Sequence, residues 1–148
     1  MYTAAILKPS SVNILLWLMQ KTRYEKRGFV PKTPTGDPLP HHMTINLGGL
    51  DENLNPKEWM GKNCLLTIDS LHQNEKIGVC AARVIKAECE GKPIKTINDE
   101  NGSKHITLAL KPGIKPVQSN KMFQGQSEET QIYQLEQPFI LEAVLQEV

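Results

Sequence analysis

Two histidines, His42 and His105, each stand two residues before a threonine, in His42-Met43-Thr44 and His105-Ile106-Thr107. In an extended strand, residues i and i+2 share a face about 6.6 Å apart, so each triplet sets an imidazole and a hydroxyl on one side and an apolar anchor on the other. Brought together, the four polar groups suit a phosphate. Hydroxyls hold its non-bridging oxygens while the imidazoles stand at opposite ends of an in-line displacement. An ordinary histidine pKa of about 6.5 lets one ring act neutral as a base and the other charged as an acid. A carboxylate in place of threonine would repel the substrate, and no metal or cofactor enters the scheme. Spacing alone does not assign acid and base. Chance places roughly 0.4 His-x-Ser/Thr triplets in a chain of this composition, so a pair of them is a signal where one would not be.

The triplets need strands to carry them. Residues 42–47 alternate His42, Thr44 and Asn46 against Met43, Ile45 and Leu47, and residues 104–110 repeat the pattern with His105, Thr107 and Ala109 opposite Ile106, Leu108 and Leu110. Upstream, residues 2–7 read as a strand that stops at Lys8-Pro9. Ser10 or Ser11 then caps a helix with Val12, Leu15, Leu16 and Met19 at helical spacing. Residues 22–40 are first basic and then rich in proline, which marks a loop. A short helical turn is expected at residues 56–60, strands at 64–71 and 77–87 with a hairpin through 72–76, and an exposed turn at 91–102. Residues 111–129, with their prolines, glycines and Ser119-Asn120, read as a long functional loop, and residues 139–148 as a last strand. Strands outnumber helices, which predicts an α+β fold.

At 148 residues and 16.6 kDa the chain suits one domain, residues 1–148. With 17 basic and 16 acidic residues it is not a polycationic nucleic-acid coat, so stable double-stranded DNA binding is not expected and any binding falls to local patches. The longest apolar run near the start is too short to span a membrane and no cleavage pattern follows it, which predicts a cytoplasmic protein with no membrane partner, in a host cytoplasm if phage-encoded. Homo-oligomer formation is compatible with this reading. Cys64, Cys80 and Cys89 include no CxxC pair, which argues for reduced thiols over a disulfide framework or a zinc knuckle.

Other residues are candidates for holding substrate. Lys115 and Ser119 follow the second triplet and could draw an anion toward it, although lysines in polar loops, Lys111 and Lys121 included, are commonly only solvated. Tyr2 could stack on a base or pack at a sheet edge. Trp17 reads as core or partly buried, and Trp59, in a polar stretch, as the better candidate for an exposed stacking or partner surface. Glu142, on the polar side of the last strand, could reach a base edge or face solvent. His41 reads as a loop residue on the other face from His42, and His72 as a turn residue. The basic run at residues 21–27, with Glu25 inside it, reads as a solvated helix end.

The sequence resembles the 2H phosphoesterases, whose two His-x-Ser/Thr motifs match His42-Met-Thr44-Ile-Asn-Leu and His105-Ile-Thr107-Leu-Ala-Leu. Within that superfamily it is most similar to the phage anti-CBASS cyclic-nucleotide nucleases and the tRNA-ligase cyclic phosphodiesterase domain, on His105-Ile-Thr-Leu and Lys115-Pro-Val-Gln-Ser119-Asn120. The resemblance implies two pseudo-symmetric lobes, each with an antiparallel sheet, around a central cleft that holds both motifs. It also implies metal-independent phosphodiester cleavage. In the cyclic-nucleotide branch the substrate's 2'-hydroxyl attacks the 3'-5' linkage of a cyclic di- or trinucleotide, which would counter an antiphage defence. In the RNA branch water opens a 2',3'-cyclic phosphate at an RNA end. A non-catalytic module that sequesters a cyclic nucleotide is the reading from outside enzymology.

Overall fold

The computed structural model describes residues 1–125 and 129–148; residues 126–128 of the expected long loop lie outside the described residues. Strand β1 (Tyr2–Leu7) leads into helix α1 (Pro9–Met19), followed after a 3₁₀ turn and a long loop by β2 (His42–Leu47). Then come β3 (Asn63–Asn74), β4 (Val79–Cys89), the two-residue β5 (Lys92–Pro93), β6 (His105–Leu110), the short helix α2 (Ser119–Phe123) and β7 (Gln131–Glu147).

The strands form one antiparallel sheet in the order β3-β7-β1-β2-β6-β4-β5, and a further β3–β4 pairing closes the first six into a barrel. This corrects the expectation of an α+β arrangement of two lobes. The reason lies in two long strands. β3 runs for twelve residues and β7 for seventeen, where the sequence pattern suggested about eight and ten. β3 pairs with β4 along one edge and with β7 along the other, so no edge remains at which one lobe could end. Register shifts around Ile68 let it bend enough to close the ring.

One core cluster draws on every barrel strand and on α1: Ala5, Met43, Ile45, Leu66, Ile68, Ala82, Ile106, Leu108, Leu141 and Leu145 meet Leu15, Leu18 and Met19. Met43 and Ile106, the middle residues of the two triplets, are fully buried there. Alternation then sends the flanking histidines and threonines to the opposite face. On the side that α2 covers, a smaller cluster joins Val79, Ala81 and Leu110 to Leu39 and Met122.

Local details differ from the expected ones. α1 begins at Pro9, with Lys8 before it and no side-chain cap; Pro supplies the helical φ without needing an N–H partner. Ser11 instead sits buried inside the helix, where its hydroxyl accepts the backbone N–H of Glu142 and ties α1 to β7. The hairpin between β3 and β4 turns at residues 75–78, so His72 lies within β3 and is buried. Among the described residues no helix is long and apolar enough to cross a membrane.

Candidate active site

β2 and β6 are neighbours, and Met43 pairs with Ile106 in antiparallel register. In such a pair the residues flanking the matched position face one another, so His42 lies across from Thr107 and Thr44 across from His105. The histidines then occupy a diagonal, a relation that separates strand positions by about 7–8 Å, enough for a phosphate between the two side chains. Each imidazole has a hydroxyl beside it on its own strand and another across the ladder.

All four side chains line one cavity of about 950 Å³, near the upper end of the range for small-molecule sites. Two loops build its walls. The first contributes Thr33, Thr35, Asp37 and Leu39, and a net of hydrogen bonds stiffens it: Thr35 donates to the Asp37 carboxylate (2.8 Å) and the Asp37 N–H to the Thr33 hydroxyl (3.1 Å). The second contributes Lys115, Val117, Ser119 and Asn120. Ile97 and Asn98 come from the turn before β6, held beside β2 by the Ile97 N–H donating to the Ile45 carbonyl (2.9 Å). Leu47, Ile97 and Val117 are exposed apolar side chains on its rim.

The two triplets are supported differently. His105 Nδ1–H donates to the Ser103 carbonyl (2.8 Å), an acceptor only, so the neutral ring keeps its lone pair on Nε2. Its ring stacks on Phe123 at 5.1 Å. Burial lowers the His105 pKa from its ordinary value, and the Ser103 carbonyl works against that shift. Thr107 shares a hydrogen bond with Ser119 (2.9 Å), whose own hydroxyl proton goes to the Pro116 carbonyl, so Thr107 is the donor. On β2 the Thr44 hydroxyl has no partner among the described residues. His42 Nδ1 meets His41 Nδ1 at 2.9 Å, and the Tyr2 ring lies 5.0 Å from that of His42. Burial, then the neighbouring charges on His41 and His105, push the His42 pKa down to about 4.

Tyr2, Lys115 and Ser119 line the cavity with the triplets. Trp59 and Glu142 do not. Trp59 is only 7% exposed and belongs to the main core, because the 3₁₀ turn Lys57–Trp59 swings it inward; Trp17, expected in the core, is 59% exposed with Lys21 over its ring. Glu142 lies exposed on β7 and is not a cavity residue. His72, expected in a turn, bonds Ser70 (2.9 Å) and packs against the Phe123 ring that also stacks on His105, with its pKa lowered to about 4 by burial and then by Arg83. Lys111 is drawn to Glu75 and the Phe29 ring instead of the site.

Sequence reasoning missed His41, Asp37, Ile97 and Asn98. The first two belong to a proline-rich loop whose path no periodicity reveals. The others sit in a turn that reads as merely exposed. Among the described residues, no group of three or more His, Cys, Asp or Glu is placed to hold a metal ion.

The family model of the fungal tRNA ligase phosphodiesterase domain matches residues 29–147, which include both triplets. Among solved structures the chain is similar to a fungal RNA kinase crystal structure, with TM-score 0.58 and 11% identity over 99% of this chain and 45% of that one. At that identity the likeness speaks for the fold alone, and the chain spans less than half the length of that neighbour. No curated protein matches.

Proposed function

Because the chain belongs to the fungal tRNA ligase phosphodiesterase domain family, we propose that it is a metal-independent phosphodiesterase of the 2H type that opens a 2',3'-cyclic phosphate at an RNA end. The observation that carries this reading is the antiparallel pairing of the two His-x-Thr triplets about Met43 and Ile106.

The chemistry follows from the groups around the phosphorus. His42, the ring with its pKa lowered to about 4, is neutral near neutral pH and takes a proton from the attacking water on Nε2. The water oxygen bonds phosphorus while one ribose oxygen departs, and His105 gives that oxygen the proton on its Nε2. Its Nδ1–H stays on the Ser103 carbonyl throughout. The product is a phosphomonoester on the other ribose oxygen. Thr44 and Thr107 hold the non-bridging oxygens, Lys115 offsets the phosphate charge, and Tyr2, Ile97 and Val117 offer flat or apolar contact to the terminal bases.

A second reading keeps the same four groups. A cavity of about 950 Å³ exceeds what one terminal nucleotide fills, so a cyclic dinucleotide is the other substrate of matching size, cleaved through its own 2'-hydroxyl. One assay separates them. The protein is incubated with EDTA and, in parallel, with an RNA ending in 2',3'-cyclic phosphate and with cyclic di- and trinucleotides, and the products are resolved by chromatography. Conversion of the RNA end to a phosphomonoester, faster than any loss of the rings, is the expected result. Selective cleavage of the rings would transfer the function to cyclic signals, and tight binding with every substrate intact would make the protein a sequestering module.

A further inference from the structure

The proposed base is not alone. His41 precedes it, lines the same cavity and sets its Nδ1 2.9 Å from Nδ1 of His42, with the rings edge to face at 5.1 Å. Two ring nitrogens at that distance must hold one proton between them. Two bare lone pairs repel, and two N–H groups would meet hydrogen to hydrogen. The contact therefore fixes a rule: when both rings are neutral, the donor ring bares its Nε2 and the acceptor ring carries hydrogen there.

The His41 main chain is anchored by its carbonyl, which accepts the Leu7 N–H of β1 (3.0 Å), so the ring is presented by a fixed backbone. The groups that face His42 from the other elements are Tyr2 on β1 and His105 on β6, with Asp37 and Lys115 on the cavity wall. None of these makes a hydrogen bond to His42 among the described residues. Among the described residues, His41 is the one group placed to select its tautomer.

We propose that His41 is a positioning residue for the reaction: it accepts the Nδ1–H of His42, so that His42 turns a bare Nε2 to the substrate and shares with His41 the charge it gains. The inference rests on the reading of His42 as the base. In the step itself, Nε2 of His42 gains the proton of the attacking water, and the Nδ1 proton stays between the rings, shared with His41. After His105 has delivered its own proton and the product has left, His42 returns its Nε2 proton to solvent and His105 takes one back on its Nε2, so the Nδ1 proton stays between the paired rings and both are neutral with the His42 Nε2 bare again. No co-reactant beyond water is needed. The arrangement corresponds to the acceptor that orients the histidine of a hydrolytic triad, with an imidazole in place of the carboxylate.

The tautomer can be read directly from long-range proton–nitrogen correlation spectra of the 15N-labelled protein at pH 7.5, with His41→Ala to assign the signals. The expected spectrum shows His42 protonated on Nδ1 in the parent and moved toward Nε2 protonation in His41→Ala. A parent in which His42 carries its proton on Nε2 would overturn the proposal. Kinetics give the second arm. His41→Ala is expected to lower kcat about 10-fold with KM within twofold, and His41→Asn, whose side-chain oxygen can accept the Nδ1–H, to recover most of that loss. Unchanged kcat in His41→Ala, or equal losses in both variants, would also overturn it. Should His41→Ala not fold, the parent spectrum and the Asn variant decide. If the parent opens no cyclic phosphate, the proposed function fails, while the spectrum still passes judgement on His41.

Discussion

The two triplets share the His-x-Thr pattern and sit side by side, yet one is pinned and the other adjustable. On β6, His105 is fixed by a carbonyl and stacked on Phe123, and Thr107 spends its proton on Ser119. On β2, Thr44 has no partner among the described residues and His42 leans on a second imidazole that can give or accept. The difference separates the roles that the bare motif leaves equivalent. Under the proposed function, the like charge of His41 beside His42 suits that ring to the base, and the carbonyl that holds the His105 Nδ1–H in both states suits that ring to the acid.

The largest expected effect tests whether both halves are needed. His42→Ala and His105→Ala are each expected to lower kcat by at least about 100-fold, as for removal of a general base or acid, with the fold intact by circular dichroism. The double variant should be little worse than either single one, because the groups act on one phosphorus. Near-normal turnover in either single variant would break the comparison at its root.

The pH dependence sharpens it. The base must be unprotonated, so kcat/KM should rise as pH climbs through about 4, the His42 value. The acid must be protonated, so kcat/KM should fall once pH passes the His105 pKa, which lies below the ordinary histidine value near 6.5. The expected profile is a bell with its maximum below about pH 6.5, the ordinary histidine value, and arms of roughly tenfold per unit. A bound phosphate anion favours both imidazolium forms, so the kcat profile should sit at higher pH than that of kcat/KM. A kcat/KM maximum above pH 8 would contradict the assignment of both rings.

What the sequence disclosed, and what it hid, follows the same division. Alternation is a local signal, so β1, β2 and β6 were legible almost to the residue, and with them the four polar groups of the site. Barrel closure was not, since it depends on how far β3 and β7 run together and on bulges that no composition announces. Trp59 and Trp17 exchanged places for a related reason. A lone tryptophan in a short turn follows the direction of the turn, and a tryptophan on a helix follows which face meets the sheet; neither is settled by the polarity of its neighbours. His41 was hidden by the alternation rule itself. Residue 41 precedes β2, so the rule that places neighbours on opposite faces does not reach it.

Replacing each threonine by the similarly shaped valine compares the hydroxyls. Thr44→Val removes a donor with no competing partner among the described residues and is expected to lower kcat/KM about 10-fold, matching a lost hydrogen bond to a charged group. Thr107→Val removes a hydroxyl that must first leave Ser119, so its loss should be smaller, about threefold. Equal losses would mean that the two halves meet the phosphate in the same way.

The smallest effect is the most specific, and its sign carries the argument. Ser119 is buried, donates to the Pro116 carbonyl and accepts from Thr107, so its hydroxyl has no hydrogen left for a ligand. To donate to a phosphate, Thr107 must give up a bond whose net value is about 1 kcal/mol. Ser119→Ala removes that competitor and frees the Thr107 proton. Substrate affinity should therefore improve, with KM lower by about twofold to fivefold and kcat little changed. The opposite result, a KM raised by tenfold or more, would mean that Ser119 itself holds the substrate and that the tether seen without ligand is released on binding. In that case the β6 half is as adjustable as the β2 half, and the distinction between base and acid must rest on the two imidazoles alone.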